Sequence, residues 1–344
     1  MSRRLTALAL QGGGALGAYE FGVLKALHER QDFRLDAVSG VSIGAITAAV
    51  LVGARGEPIT TLQAMWDQLS LTPAPLVPDT LQANQGLFGN PAMYRLDPAW
   101  LTAPWLATHV YDTTPLRESL ARWIDLERLN ASRIRVTVTA VDVESGELVE
   151  FDNRHGLMLE HILASASLPP GFPATRLHGH GYWDGGLVSN TPLRSAIDAL
   201  ESLAPGDAEV QRELIVIDAF RQRAPAPEQF LDVVERAFEI NFASKLKLDL
   251  KLLRRINDLI ELVEEMEAAL PADSPLRRRS AYRRLLAYRH IDRLWVIGNH
   301  DANDGGGPAD FSPGAIQRRI ANGYRDGRQA RRPTASSRRP RRAE

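Results

Sequence analysis

Over the first 55 positions, apolar and polar residues fall into four short segments of alternating period. Leu5-Thr6-Ala7-Leu8-Ala9-Leu10 is a continuous apolar run closed by Gly12-Gly13-Gly14, the composition of a strand covered on both faces. Leu16, Tyr19, Val23 and Leu27 then recur three to four apart, which predicts an amphipathic helix leaving through His28-Glu29-Arg30. Leu35-Asp36-Ala37-Val38-Ser39 reads as a second strand, and the Ala-rich stretch from Ile43 to Val52 as a helix lying close on a sheet. Strand, helix, strand, helix in this order predicts an α/β fold with a parallel sheet.

The rhythm changes further along. Between Thr72 and Ala107, Pro, Gly and Asn interrupt scattered aromatic residues, which predicts a long irregular excursion. A helix is expected over Pro115 to Leu129, with Thr114 as cap and Pro115 in its first turn. Arg133 to Val143 alternates with Ile134, Val136 and Val138 on one face, a strand, and Leu214–Ile217 and Leu294–Ile297 are two further buried strands. Glu228 to Leu270 holds neither Gly nor Pro and is expected as two helices; Leu276 to His290 continues that character, and Ser312-Pro313 opens a last short helix to Tyr324. From Arg328 to Glu344 the chain is Arg, Pro and Ser with little to bury, so a disordered basic tail is expected.

Composition narrows the function. At 344 residues and 44% hydrophobic, the chain can bury a sizeable core. It has no Cys, which removes disulfides, thiol catalysis and thiolate-bound zinc together. The net charge of −1 hides an asymmetry: the last 17 residues carry seven Arg and one Glu, +6 there against −7 over the rest. Positive charge confined to a tail argues against a nucleic-acid partner. The longest nearly apolar stretch, Ile43 to Ala54, falls short of the ~20 residues a membrane-spanning helix needs. The apolar run after Met1-Ser2-Arg3-Arg4 is also below the roughly seven residues of a signal peptide, so a cytoplasmic protein is expected.

Three motifs carry candidate chemistry. Gly40-Val41-Ser42-Ile43-Gly44 matches Gly-x-Ser-x-Gly between a predicted strand and helix, where a sharp turn projects a serine hydroxyl outward and the helix amino end favours negative charge. Gly12-Gly13-Gly14-Ala15-Leu16-Gly17 admits two readings. It fits the dinucleotide fingerprint Gly-x-Gly-x-x-Gly, which would make the chain a nucleotide-binding oxidoreductase and asks for an acid at the end of the second strand. Asp36 stands at the start of that strand instead. Alternatively the backbone N–H groups of the loop form an oxyanion hole beside Ser42, since neighbouring parallel strands deliver both loops to one sheet edge. A base is still required; no spacing singles out one of the eight histidines, and Asp184-Gly185-Gly186 taken alone is an ordinary turn.

In order and spacing, the glycine loop, Gly40 to Gly44, Ala164 to Pro173 and Asp184-Gly185-Gly186 together resemble the patatin-like phospholipases. The resemblance covers about residues 5 to 220, with a vaguer likeness from Glu228 onward to the C-terminal extension of some bacterial members. It implies a three-layer α/β/α sandwich with a mainly parallel sheet, a helical region over 228–327 completing or flanking it, and a basic tail over 328–344. It also implies a Ser–Asp dyad without histidine: Ser42 as nucleophile, Asp184 as proton acceptor, and Gly12, Gly13 and Gly14 around the oxyanion, with Gly17, Gly40, Gly44, Gly185 and Gly186 shaping the turns. The implied substrate is a lipid or other acyl ester, met through peripheral contact with a membrane surface, and neither cofactor nor metal is called for. Leu16 departs from the Arg or Lys that many members carry at that point of the loop. The apolar stripe Leu246, Leu250, Leu253, Ile256, Ile260 and Val263 reads as core packing rather than a lipid-facing surface; with the nearby arginines it also supports an alternative, a non-catalytic lipid-surface module.

Overall fold

The computed structural model describes residues 3–71, 85–221, 224–301 and 307–334. The first segments form as the apolar pattern requires: β1 (Arg4–Leu10), α1 (Gly17–His28), β2 (Ala37–Gly40) and α2 (Ile43–Gly53), followed by α3 (Pro58–Leu69). A small three-stranded antiparallel sheet, β3 (Gly89–Asn90), β4 (Tyr94–Leu96) and β5 (Tyr111–Asp112), with a short α4 (Pro98–Thr102), organises part of the stretch expected to be irregular; its residues 72–84 lie outside the described ones. Then come α5 (Thr114–Trp123), α6 (Leu126–Ala131), β6 (Arg135–Asp142), β7 (Leu148–Asp152), α7 (Leu159–Ser165), β8 (Thr175–Leu177), β9 (His180–Asp184), α8 (Leu193–Leu203) and β10 (Gln211–Asp218). The last elements are α9 (Phe230–Ala269), α10 (Ser280–Ala287), β11 (Arg293–Gly298) and α11 (Pro313–Gln329).

Eight strands form one mixed sheet in the order β11-β10-β1-β2-β6-β9-β8, with β7 also on β6. The five strands from β11 to β6 run parallel, and β7, β8 and β9 join antiparallel. Alternation along β1 divides the interior into two cores. Leu8 and Leu10 face α1, α2, α3 and α11, whereas Leu5, Ala7 and Ala9 face α8 and the inner side of α9. The sheet is thus covered by helices on both faces, the three-layer sandwich that the resemblance implies. The strand at 293–298 is the far edge of this sheet, so the C-terminal region contributes to the sheet itself.

Register explains why two distant segments meet. β2 pairs with β6 up to Gly40 opposite Val138, and β7 occupies the other edge of β6. β9 arrives antiparallel on the edge that β2 has vacated, with Asp184 opposite Ala140. Two strands therefore end head to head in one lane of the sheet, only two residue positions apart, or about 7 Å.

Several expectations are corrected. The helix expected over 115–129 is two: the first begins at Thr114, so its cap position is Thr113 rather than Thr114, Ile124 is extended and bridges to Ala54, and the side chain of Asp125 caps the second by accepting the Arg128 N–H at 3.0 Å. Asp112 takes the Thr114 N–H at 2.9 Å. Residues 230–269 form a single 40-residue helix because nothing within it breaks the ladder. Leu246 and Leu250 lie in the core and Leu253 packs on it, burial worth roughly 1.5–3 kcal/mol for each fully covered side chain. Ile256 of the same expected stripe is exposed instead. The last helix runs past Tyr324 to Gln329, and Arg332 beyond it pairs with the buried Glu213, so the ordered chain passes the expected boundary at Arg328; residues 335–344 lie outside the described ones. His290 is 4% exposed, with Nδ1 2.8 Å from Glu264 and Nε2 3.4 Å from Asp292.

Two predictions follow from this packing. α1 and α11 cross so closely that a Cβ on Gly323 would lie 2.0 Å from the Tyr19 carbonyl oxygen, whereas Gly314 in the same helix has open space. Gly323→Val is expected to cost on the order of 1–3 kcal/mol by overpacking, while Gly314→Ala is neutral or stabilising; equal denaturation midpoints for the two would refute the crossing. Asp292 and Glu264 raise the His290 pKa to about 9 from its ordinary 6.5. The stabilisation this pair contributes is complete below about pH 6.5 and lost as pH rises through about 9. The Tm gap between the unaltered chain and His290→Gln should therefore close across that window; a gap independent of pH would contradict the pairing.

Candidate active site

Ser42 stands between β2 and α2 with φ 55°, a left-handed conformation that a non-glycine residue holds only when its surroundings enforce it. The turn is tight on both flanks. A Cβ on Gly40 would lie 2.3 Å from the Gly44 carbonyl oxygen, and one on Gly44 2.6 Å from the carbonyl oxygens of Leu10 and Gln11. No side chain fits at either position. The Ser42 N–H donates to both the carbonyl oxygen and the hydroxyl of Ser165, each at 3.1 Å, so the backbone of the turn is tied to the end of α7. Sequence reasoning assigned Ser165 no role of its own.

Asp184 closes β9 and faces this turn across the lane. It is 2% exposed, and its carboxylate takes the Gly186 N–H at 2.8 Å. Burial pushes its pKa up to about 7, outweighing the lowering by the neighbouring Ser42 hydroxyl and by the Gly186 N–H. Gly185 sits flat on β6, where a Cβ would come within 2.6 Å of the Thr139 carbonyl oxygen. His28, His109, His155, His180 and His290 lie against carboxylates on other elements, and His161 stacks on Phe151.

The glycine loop leaves β1 beside this pair. Gly12 is wedged: a Cβ there would be 2.5 Å from the Asn190 side-chain oxygen and 3.0 Å from the Ser42 Cβ. Its N–H donates to the Asn190 carbonyl at 3.3 Å and its own carbonyl accepts from the Asn190 side chain at 2.9 Å. Gly12 is thereby corrected as an oxyanion donor, because its N–H is already engaged. Among the described residues, the N–H groups of Gly13 and Gly14 meet no acceptor. Gly14 has φ 53° and presses on the Pro308 carbonyl, while Gly17 packs on Ile43. Leu16, the departure in the loop, is buried in the core and touches the Gly13 position.

A buried polar network fixes the loop from behind. Gln11 donates its N–H to Glu20 at 2.7 Å and its side-chain amide to the Thr191 hydroxyl at 2.7 Å, and accepts from the Ala219 N–H at 2.9 Å. Burial pushes Glu20 well above the usual carboxylate range. Asn190, Thr191, Gln11 and Glu20 all escaped sequence reasoning; the only trace was Ser189-Asn190-Thr191-Pro192 trailing the Asp–Gly–Gly turn. Asp36, weighed as a ribose ligand, lies before β2 and accepts the Thr6 N–H at 2.8 Å, at the opposite end of the sheet from the glycine loop. No metal-binding cluster occurs among the described residues. No helix among the described residues is long and apolar enough to cross a membrane.

Fold and geometry together define a doubly covered α/β chain in which Ser42, Asp184 and the glycine loop meet at one edge of the sheet. The patatin-like phospholipase family model matches residues 8–197, more than half of the chain, and the chain belongs to that family. Among solved structures, VipD from Legionella pneumophila is 15% identical, with 95% of this chain and 66% of that one covered and a TM-score of 0.37. The type III effector protein ExoU is likewise 15% identical at a TM-score of 0.37, covering 95% of this chain and 53% of that one. ExoU in its heterodimeric complex with SpcU, from the type III secretion system of Pseudomonas aeruginosa, is 20% identical over 73% of this chain and 52% of that one, at a TM-score of 0.35. The chain thus spans between about half and two thirds of the length of these proteins.

Proposed function

We propose that the chain is a lipid acyl hydrolase in which Ser42 is the nucleophile and Asp184 its base. The observation that carries this reading is a desolvated Asp184 carboxylate with the Ser42 hydroxyl as its electrostatic neighbour, where β2 and β9 end head to head. An exposed aspartate, with a pKa near 4, is too weak a base for a serine hydroxyl, whereas one raised to about 7 is matched to neutral pH. Asp184 takes the hydroxyl proton as Ser42 Oγ attacks the acyl carbonyl. The free N–H groups of Gly13 and Gly14, with the positive end of α2, stabilise the developing oxyanion. The leaving alcohol receives the proton from Asp184, and an acyl-enzyme remains. Water, deprotonated by the same carboxylate, then releases the fatty acid and restores the serine.

Family membership and the surface around the site support a lipid ester as substrate. Leu187 and Val188, directly after Gly186, are 39% and 47% exposed, and Phe238 on α9 is 46% exposed. Lys245 of the same helix donates to the Leu187 carbonyl at 3.1 Å, which joins the two apolar groups into one rim. Such a rim suits an acyl chain drawn from a membrane surface, with the protein in peripheral contact. The residues to 220 would form the acyl hydrolase domain, completed by the region to 327.

Ser42→Ala should abolish turnover of p-nitrophenyl esters and labelling by a fluorophosphonate while leaving the circular dichroism spectrum unchanged. Asp184→Asn should lower kcat by on the order of 10³-fold or more. Retained turnover in either variant removes that residue from the mechanism. Because the ionised carboxylate is the active form, kcat/KM should climb with pH and level off above an apparent pKa of about 7. A limb near pH 4 would mean that burial does not tune this base.

A further inference from the structure

We propose that the outer face of α9 binds a second copy of this chain, as an antiparallel pair of helices related by a two-fold axis near Asn257. The helix carries two apolar stripes roughly 160° apart at 100° per residue. The inner one, through Leu246, Leu250 and Ile260, is buried. The outer one runs through Leu248, Leu252, Arg255, Leu259, Leu262 and Met266, and its apolar members are 67%, 57%, 50%, 53% and 40% exposed in that order. Their spacing is 4, 3, 4, 3, 4 without a break. That 3.5-residue period is the signature of a seam that winds against another helix, whereas a stripe serving only this chain's own core keeps 3.6.

Charge identifies the occupant. Residues 245–255 contain Lys245, Lys247, Lys251, Arg254 and Arg255 against one acid, Asp249; residues 258–267 contain Asp258, Glu261, Glu264, Glu265 and Glu267 and no base, with Glu264 and Glu267 already paired to His290 and Arg277 of this chain. An antiparallel pair lays the basic half of each helix along the acidic half of the other, whereas a parallel pair opposes like charges. Register and charge agree. Pairing Leu248 with Met266 of the second copy sets Leu252 opposite Leu262 and Arg255 opposite Leu259. The same register flanks the seam with Lys251 facing Glu265, twice by symmetry, and brings both Arg255 side chains to the axis beside both Asp258 carboxylates. An anionic lipid surface is a poorer occupant, since the acidic half would be repelled by it.

The test is the mass of the full chain by sedimentation equilibrium at about 10–100 μM. A dimer is expected, and Leu252→Glu with Leu259→Glu should make it monomeric with ester turnover per chain unchanged. Lys251→Glu alone and Glu265→Lys alone should each weaken dimerisation about tenfold, through two symmetric contacts turned repulsive, and the two exchanges together should restore it. The chain has no native cysteine, so orientation can be read by oxidation. Leu248→Cys combined with Met266→Cys should give covalent dimers, whereas Leu248→Cys alone should not, because its two copies would stand ~27 Å apart along the antiparallel pair. A monomeric unaltered chain at 100 μM, cross-linking by Leu248→Cys alone, or failure of the double charge exchange to restore the dimer would each overturn the proposal. Binding of phosphatidylglycerol vesicles that is lost in the Leu252→Glu, Leu259→Glu chain without any change of mass would assign the face to lipid and overturn it as well.

Discussion

A carboxylate without water is costly, and the site depends on how this fold holds one. Asp184 is buried at the end of a strand, where the Gly186 N–H and the neighbouring Ser42 hydroxyl do too little to offset its desolvation. Its neighbours are therefore constrained. Gly185 must lie flat on Thr139, and Gly186 must turn its N–H back to the carboxylate. The left-handed backbone of Ser42 stands at the other end of the same lane, where β2 stops and β9 arrives.

Around this contact the sheet acts as a jig. β6 carries β2 and β9 in succession along one edge, so the placing of Ser42 and Asp184 is set by strand register, independent of the more than 140 residues between them. The glycine loop is fixed differently. Asn190 holds both polar groups of Gly12, and Gln11 joins the end of β1 to Thr191 and to the start of the segment after β10. Three loops from distant parts of the chain are thereby locked together by buried hydrogen bonds, which suits preorganised donors aimed at a developing charge. The proposed base, nucleophile and oxyanion donors all lie at the carboxyl ends of strands, where open α/β sheets place their sites.

The C-terminal third is joined to this core by side chains whose partners lie far away in sequence. β11 extends the sheet beyond β10, α11 crosses α1 over facing glycines, and Arg332 returns to the buried Glu213. α9 lies over the second core with its inner stripe only, anchored at its far end by the pairing of Glu264 with His290. The outer stripe of that helix, Leu248, Leu252, Leu259, Leu262 and Met266, is left exposed by this core.

Local signals were enough for β1 through α2, because both faces of these strands are buried and their apolar runs are unbroken. The Gly-x-Ser-x-Gly turn was legible for the same kind of reason: its glycines answer to steric limits set within five residues. Asp184 was legible only as one member of a series of motifs, since an Asp–Gly–Gly turn has no local mark of desolvation; its burial exists only once β9 has joined β6. Nothing near position 290 announces the burial of His290, whose partner Glu264 arrives from a helix 26 residues earlier. The 40-residue helix was divided by expectation, although its composition allowed it to continue, and only the long flat face of the second core shows what supports it. Asn190 and the engaged N–H of Gly12 were invisible for the plainest reason: a hydrogen bond between residues 178 positions apart leaves no periodicity, spacing or composition along the chain. Short-range sterics and apolar period are written in neighbouring residues, whereas desolvation and long-range pairing exist only once the sheet has assembled.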